Sequence, residues 1–280
     1  MGRPQGRSTH WCIGTGAPTI VVVTGGVVGR VADGLRAAAD LVLPGLCAAC
    51  GAPASTPLCP CCRAEVRAAA LGPSAGARGG VRVVGDLRCW SAVRLDDAVR
   101  VAVTAYKDGG RRDLAPLLAP LLASAIGSAG HEDPELRRTR AGGGRVLVVP
   151  VPPATRARRR RGDDPVGTLV RRALRCLDDD TLVAGQVVRH TRRVQDQAGL
   201  GRAARAANLA WALEVCPAAR RAVRGAACLV VDDVLTTGAT VHEMTRALRA
   251  EGAAHVAAAT LAVRARQVTA GALVGHRVGG

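Results

Sequence analysis

The stretch that most constrains the fold is Leu229–Thr240, which reads LVVDDVLTTGAT. Three apolar residues lead into two adjacent carboxylates, Asp232 and Asp233, and then into a loop of small and hydroxyl-bearing residues. Residues 241–251 have the pattern of a helix. This order predicts a buried strand, a turn at its carboxyl end and a helix, which is the repeating unit of a doubly wound α/β sheet.

The same stretch has the chemistry of a site for ribose 5-phosphate. A helix start attracts phosphate because its first N–H groups lack intrahelical partners and the positive dipole end points the same way. Two neighbouring carboxylates repel phosphate at close range but accept hydrogen bonds from vicinal ribose hydroxyls. The alternative is an ordinary strand, turn and capped helix without a ligand. The predicted phosphate-binding residues are Leu235, Thr236, Thr237, Gly238, Ala239 and Thr240.

Two Cys-x-x-Cys pairs lie close together near the start of the chain. They are Cys47-Ala-Ala-Cys50 and, after eight residues, Cys59-Pro-Cys61-Cys62. This spacing predicts a structural zinc ion bound by Cys47, Cys50, Cys59 and Cys62, with Cys61 as a spare thiol. The alternatives are a redox dithiol and unrelated buried cysteines. The remaining cysteines are isolated in the sequence, which is typical of a reducing cytoplasm.

The composition favours a polyanionic ligand without identifying it. The formal net charge is +17, hydrophobic residues make up 48% of the chain and aromatic residues only 1%. Lys107 is the single lysine among 39 basic residues, so the arginine excess is also what biased coding would produce. Aromatic side chains for stacking on bases are nearly absent. The charge therefore suits a pyrophosphate-bearing substrate as well as a nucleic acid.

The expected domain plan has four parts. Residues 1–30 include the apolar run Thr19–Thr24, but Pro18 and two glycines interrupt it. We therefore predict a disordered or wrongly assigned start and no membrane insertion, with an export signal as the alternative. Residues 31–70 are expected to form a helix and the zinc module. Residues 81–263 are expected to form the α/β domain, after a linker rich in Gly and Ala. Residues 264–280 are expected to be a tail.

Within the α/β domain the sequence predicts a hairpin, a series of helices and buried strands. Hairpin strands are expected at 81–84 and 88–93, helices at 96–107 and 113–125, and a loop at 128–143. A basic turn at 106–113 is read either as a solvated helix end or as a phosphate-facing turn. A strand at 145–150, a helix from about residue 166 and a last strand at 254–263 complete the domain.

Two arginine-rich segments stand where a substrate could meet them. The first follows the strand at 145–150, where a doubly wound sheet places its ligand; a solvated or nucleic-acid-binding charge run is the alternative. The second spans residues 190–209 and is typical of a mobile cationic flap, with an ordinary surface loop as the alternative. The candidate residues of the first are Arg156, Arg158, Arg159, Arg160 and Arg161, and those of the second are Arg192, Arg193, Arg202, Arg205 and Asn208.

Five motifs in this order resemble the ComF family of phosphoribosyltransferase-like proteins. The motifs read CAAC…CPCC, AYKDGGRRDLA, VVPVPP…RRRRGDDP, RRVQDQAGLGRAARAANL and VVDDVLTTGAT. The resemblance implies a doubly wound, mainly parallel sheet of the type I phosphoribosyltransferase fold, preceded by a small four-cysteine zinc-binding module. The chain differs from many relatives at Asp163-Asp164-Pro165, where they have an aromatic residue and Asn-Gln.

The resemblance also implies roles for the residues named above. Asp232 and Asp233 would hold the ribose of phosphoribosyl pyrophosphate (PRPP) and are the candidate catalytic residues, while the loop 235–240 would wrap the 5-phosphate. The first arginine segment would bind the pyrophosphate, which leaves as its Mg²⁺ complex, and residues 192–208 would form the flap. The expected function is transfer of a phosphoribosyl group to an acceptor that the sequence does not identify, in the cytoplasm.

Two alternatives to that function stay open at this stage. The first is a non-catalytic accessory of single-stranded DNA uptake in competence, with DNA and the uptake machinery as partners. The basic composition and the family's association with natural transformation favour it. The second is a regulator that senses PRPP through the same site without turnover. The sequence does not indicate an oligomeric state.

Overall fold

A computed structural model of the chain describes residues 45–70, 80–153, 163–191 and 212–264. The predictions for residues 1–30, for a helix near residues 31–43 and for the tail after residue 264 lie outside these ranges. The helices are α1 (Pro60–Ala68), α2 (Asp97–Lys107), α3 (Ala115–Glu132), α4 (Pro134–Ala141), α5 (Pro165–Leu177), α6 (Arg220–Val223) and α7 (Ala239–Ala250). The strands are β1 (Val81–Val84), β2 (Leu87–Arg94), β3 (Val146–Pro150), β4 (Leu182–Ala184), β5 (Val188–His190), β6 (Leu213–Val215), β7 (Ala227–Leu235) and β8 (His255–Val263).

The central sheet has the strand order β1-β2-β8-β7-β3-β4. All of its neighbouring strands run parallel except β1, which pairs antiparallel with β2 at one edge. The middle strands β7 and β8 are almost continuously apolar and buried, as expected for parallel strands that are covered on both faces. A separate antiparallel pair, β5 and β6, stands beside the sheet.

Helices cover both faces of the sheet. Apolar side chains of α2, α3 and α5 pack with Leu229 and Val231 on one face. Val241, Met244 and Leu248 of α7 pack with alternate residues of β7 on the other face. The alternation along β7 divides the core between two helical layers, because successive side chains of a strand point to opposite faces. The predicted doubly wound, mainly parallel α/β fold is confirmed.

The strand order reverses between β3 and β7. The chain passes from β3 through α5 to β4 on one side, and from β7 through α7 to β8 on the other side. In a doubly wound sheet, the crevice outside the carboxyl ends of two such strands is where ligands bind. Asp232 and Asp233 lie near the carboxyl end of β7, directly beside the end of β3 at Pro150.

The prediction of a loop over residues 128–143 is wrong. Helix α3 continues to Glu132, and α4 begins at Pro134 after Asp133, whose carboxylate accepts hydrogen bonds from the N–H groups of Glu135 and Leu136. The three glycines at 142–144 that suggested the loop do form a turn after α4, where Gly143 has a φ of +75°. Gly127 and Gly130 are contact points between helices. A Cβ on Gly127 would lie 3.3 Å from Leu177, and one on Gly130 would lie 3.0 Å from the Arg140 guanidinium.

The segment with the four cysteines packs against the α/β core. Cys47, Leu58, Cys62 and Val66 are buried in the same apolar cluster as the side chains of α2. The Arg111 guanidinium donates a hydrogen bond of 2.9 Å to the carbonyl of Leu46. The confirmed fold therefore carries its four-cysteine segment directly before and against the sheet domain, while the division of the chain at residues 70 and 81 stays a prediction.

One helical stretch in the described part of the chain, Arg112–Glu132, is long and apolar enough to cross a membrane by length and composition. It contains α3, and 56% of its apolar window is buried inside the fold. Leu118, Leu122 and Ile126 belong to the main core, where α3 packs on β2, β8 and α5. Burial in the core accounts for this composition.

Candidate functional site

The two carboxylates of β7 are held by their own backbone. Asp232 is only 8% exposed, and its Oδ1 accepts a hydrogen bond of 2.8 Å from the N–H of Asp233. Asp233 Oδ1 accepts one of 2.9 Å from the N–H of Val234. Adjacent positions on a strand would normally point to opposite faces, so these local bonds fix how each carboxylate stands at the strand end. The pair is preorganised.

The basic turn after α2 supplies a cation to this pair. The Lys107 ammonium lies 2.6 Å from Asp233 Oδ2, and the Asp233 side chain is only 12% exposed. The sequence left open whether this turn is a solvated helix end or faces a phosphate, and those alternatives stay predictions. Lys107 itself faces a carboxylate. Residues that share a hydrophobic helix face with Lys107, such as Val103, could have suggested that it points inward.

The electrostatics of the two carboxylates differ. Burial and the neighbouring Asp233 charge raise the pKa of Asp232 to about 8. Burial alone would also raise the pKa of Asp233, but the Lys107 ammonium lowers it below its usual value. Although burial opposes it, the charges of Asp233 and Asp232 raise the pKa of Lys107. The site therefore holds one proton and one negative charge on adjacent carboxyl groups at neutral pH.

The loop from Leu235 to Thr240 joins β7 to α7. Gly238 precedes the helix with a φ of +81°, a left-handed conformation that favours glycine. A Cβ there would lie 2.3 Å from Cγ1 of Val84, so the β1–β2 hairpin packs directly on the loop. The Thr237 hydroxyl accepts a hydrogen bond of 3.4 Å from the N–H of Ala239, while Thr236 is exposed. The structure thus places the predicted phosphate loop at a helix start.

The predicted pyrophosphate residues Arg156 and Arg158–Arg161 lie outside the described residues. The structure does describe the end of their segment, from residue 163 onward. Asp163 pairs with Arg112 at 2.5 Å, and the Arg112 guanidinium stacks 5.0 Å above the Tyr106 ring. Asp164 accepts a hydrogen bond from the N–H of Gly167 and caps α5. The residues that differ from the resembled family thus anchor the end of this segment.

The predicted flap residues Arg192, Arg193, Arg202, Arg205 and Asn208 also lie outside the described residues. The strands that flank them, β5 and β6, form an antiparallel pair that packs on α7. Glu243 is buried and accepts a hydrogen bond of 3.2 Å from the N–H of Leu213, while Arg246 donates one of 2.8 Å to the Leu213 carbonyl. Helix α7 therefore carries both the candidate phosphate loop and the base of the predicted flap.

The four predicted zinc ligands lie together. The sulfurs of Cys47, Cys50, Cys59 and Cys62 are all within 4.8 Å of one another. Cys50 and Cys59 are 3.7 Å apart, which agrees with the edge of a zinc–thiolate tetrahedron, about 3.8 Å for Zn–S bonds of about 2.3 Å. Although burial raises it, N–H groups of the backbone lower the pKa of Cys47 to about 6. This donor set fits one tetrahedral metal ion such as zinc.

The comparisons with known proteins agree with this architecture. Residues 178–271, which include β4 to β8, match the family model of the phosphoribosyl transferase domain. No curated protein matches the chain. The fold, the family match and the four-cysteine cluster support a phosphoribosyltransferase-like protein with a metal-binding module. The narrower assignment to the ComF family stays a prediction.

The cysteine cluster can be tested with a neighbouring thiol as the control. We expect Cys59→Ser to lose bound zinc and to lower the melting temperature, because removal of one ligand opens the site. The exposed Cys61 lies outside the four-sulfur cluster, so Cys61→Ser should keep both. Metal analysis and thermal unfolding provide the measurement. Equal zinc contents in the two variants would contradict the assignment.

The contact between Gly238 and Val84 predicts an unequal effect of two glycine substitutions. Gly225 has a similar φ of +69° but no atom within 4 Å of an added Cβ. Gly225→Ala should therefore cost only the backbone strain, about 1–2 kcal/mol. Gly238→Ala should cost roughly 1–3 kcal/mol more, because the methyl group displaces the hairpin. Urea unfolding of both variants measures the difference, and equal costs would show that the hairpin does not pack on the loop.

The protonated state of Asp232 predicts a pH dependence of stability. Its pKa rises from about 4 in the unfolded chain to about 8 in the fold. Between these values the folded state binds the extra proton, so this group's contribution to the free energy of unfolding falls as the pH rises. Asp232→Asn should remove that fall. The free energy of unfolding of this variant, relative to that of the wild type, should therefore increase by about a few kcal/mol between pH 5 and pH 9.

Urea unfolding at about pH 5, 7 and 9 provides this measurement. Asp97→Asn is the matched control, because the side chain of Asp97 is 96% exposed. It should leave the pH profile unchanged. A constant difference between Asp232→Asn and the wild type at all three pH values would contradict the assigned proton.

Proposed function

We propose that the crevice between β3 and β7 binds PRPP or a closely related ribose 5-phosphate and that the protein transfers its phosphoribosyl group. The observation that carries the proposal is the position of the acidic pair. Asp232 and Asp233 stand at the strand-order reversal, directly before a loop that begins a helix. The match of residues 178–271 to the phosphoribosyl transferase domain supports the same reading.

In this proposal each part of PRPP meets a different chemical group. Asp232 and Asp233 bind the ribose 2- and 3-hydroxyls, because hydroxyls donate to carboxyl oxygens, and the ionised Asp233 is the stronger acceptor of the two. The loop from Leu235 to Thr240 holds the 5-phosphate at the start of α7. Arg156 and Arg158–Arg161 bind the pyrophosphate with their guanidinium forks. Arg192 to Asn208 are proposed to cover the site as a flap.

The reaction would proceed by displacement at the ribose carbon C1. The bond from C1 to the pyrophosphate oxygen breaks and a bond from C1 to the acceptor forms, so the protein needs no nucleophile of its own. Catalysis then consists of positioning and of stabilising the leaving group. Mg²⁺ would supply charge neutralisation of the pyrophosphate. Its usual ligands are phosphate oxygens with one or two carboxylates, which suits this donor set.

The arrangement of the carboxylates also suits the developing positive charge on the sugar ring. Asp233 carries the negative charge of the pair, and Asp232 is buried beside it. A carboxylate below the ribose stabilises positive charge near C1 more strongly in a largely buried site than in water. For this reason we propose Asp232 and Asp233 as the catalytic as well as the ribose-binding residues.

The direct test is PRPP binding with Mg²⁺ by titration calorimetry. Replacement of both carboxylates, Asp232→Asn with Asp233→Asn, should weaken binding by about 100-fold, because amides leave the hydroxyl donors poorly matched. Asp97→Asn should bind like the wild type. Equal affinities of the double variant and the wild type would contradict the proposal. Pyrophosphate release with a panel of amines and bases would then identify the acceptor.

The net charge of +17 keeps single-stranded DNA uptake as the second candidate function. If DNA binding carries the function, affinity for an oligonucleotide should fall steeply with salt, because binding releases counterions. PRPP affinity should depend on salt less strongly, since few charges are involved.

A regulator would bind PRPP without releasing pyrophosphate with any acceptor. In each case we propose a cytoplasmic location, in agreement with the isolated cysteines of the sequence.

A further inference from the structure

Lys107 is the one lysine in a chain whose other basic residues are all arginine. Arginine fills the other 38 basic positions, so this lysine departs from the pattern of the chain. The side chain of this lysine is 39% exposed, but its charged end is paired. Its ammonium contacts Asp233, one of the two carboxylates of the candidate site, at 2.6 Å.

The space around Lys107 explains why an ammonium is required. A cavity of about 10 Å³, roughly the size of one water molecule, is lined by Lys107 and the acidic pair. Val103, Val166, Leu169 and Leu261 are among its apolar lining residues. An ammonium is compact and fits such a space, whereas a guanidinium is a wide planar fork with five N–H groups that need partners. We expect an arginine to place this wider fork against the apolar lining beside Asp233, which would leave some of its N–H donors without partners.

Within the part of the chain that the structure describes, few other charges lie near Asp233. Asp232 is its neighbour on β7, and Cys89, which belongs to β2, lies near Asp232. Asp108 follows Lys107 at the end of α2. The Tyr106 hydroxyl donates to the carbonyl of Pro165. The residues that α3, α5 and β8 contribute to the cavity lining are apolar. Lys107 is therefore the one cation among the described residues that line this cavity.

We propose that Lys107 is a positioning residue for ribose binding, and that arginine cannot replace it. Its ammonium holds Oδ2 of Asp233 while the N–H of Val234 holds Oδ1, so the carboxylate is fixed in one orientation and stays ionised as a hydroxyl acceptor. A carboxylate has about four lone-pair positions, so two remain for the sugar. This inference rests on the proposed function of the acidic pair.

The first experiment compares PRPP affinity and its pH dependence among lysine variants. Lys107→Met and Lys107→Arg should each weaken binding by about tenfold or more, because the charge-assisted contact is lost or misplaced. The pH at which binding reaches half its maximum should rise in Lys107→Met, since Asp233 loses the cation that keeps it ionised. The exposed Arg249, which pairs with Asp86, provides the control variant Arg249→Lys, which should behave like the wild type.

The second experiment observes the lysine in the unliganded protein. Reductive methylation with ¹³C-formaldehyde keeps the charge, and a chain with one lysine gives a single side-chain signal besides that of the N-terminal amine. Lys107→Arg assigns the signal by its loss. We expect its titration midpoint to fall in Asp233→Asn, because the carboxylate no longer stabilises the ammonium. An unchanged midpoint would overturn the ion pair and the inference with it.

The outcomes separate this inference from the proposed function. Suppose that the wild type binds PRPP and that Lys107→Met shows an unshifted pH midpoint of binding. Lys107 would then be only a structural residue, even if the variant melts at a lower temperature, and the inference alone would be overturned. Full affinity of Lys107→Arg would also overturn it. Absence of PRPP binding by the wild type would overturn the proposed function, and with it the role of Lys107 toward ribose.

Discussion

The candidate site depends on two buried carboxylates that stand side by side at the end of a central strand. Like charges in a dry environment cannot both ionise without a partner, so one must hold a proton or meet a cation. In this protein both occur, because Lys107 pairs with Asp233 while Asp232 is left buried beside it. The surrounding elements make this possible. Helix α2 brings the lysine from one face, and the hairpin at Val84 closes the loop that follows.

The sequence predicted the central unit well because its signals are local. An apolar run followed by small and hydroxyl residues indicates a strand, a turn and a helix through backbone chemistry alone, and Gly238 adopts the left-handed conformation that such a turn requires. The four cysteines also follow from local spacing, since two Cys-x-x-Cys pairs bring their sulfurs together wherever the segment packs. The sheet class followed from the order of these units.

Features that depend on distant contacts were not predictable in the same way. The glycines at 142–144 suggested a loop that begins at residue 128, but the chain before them is helical. Gly127 and Gly130 are close-contact points between packed helices, which only the partner residues Leu177 and Arg140 reveal. The partner of Lys107 lies more than a hundred residues away in the sequence, so the basic turn gave no indication that its lysine faces a carboxylate. Likewise, the role of Asp163 depends on its ion pair with Arg112, which lies in a different segment of the chain.

The central claim is that ribose 5-phosphate binds at the crevice between β3 and β7, and a crystal structure of the protein with ribose 5-phosphate tests it most directly. We expect the phosphate at the start of α7, within hydrogen-bond distance of the loop from Thr236 to Thr240. The 2- and 3-hydroxyls should lie on Asp232 and Asp233, with Lys107 still on Asp233. A ligand bound elsewhere on the arginine-rich surface, with this crevice empty, would contradict the account.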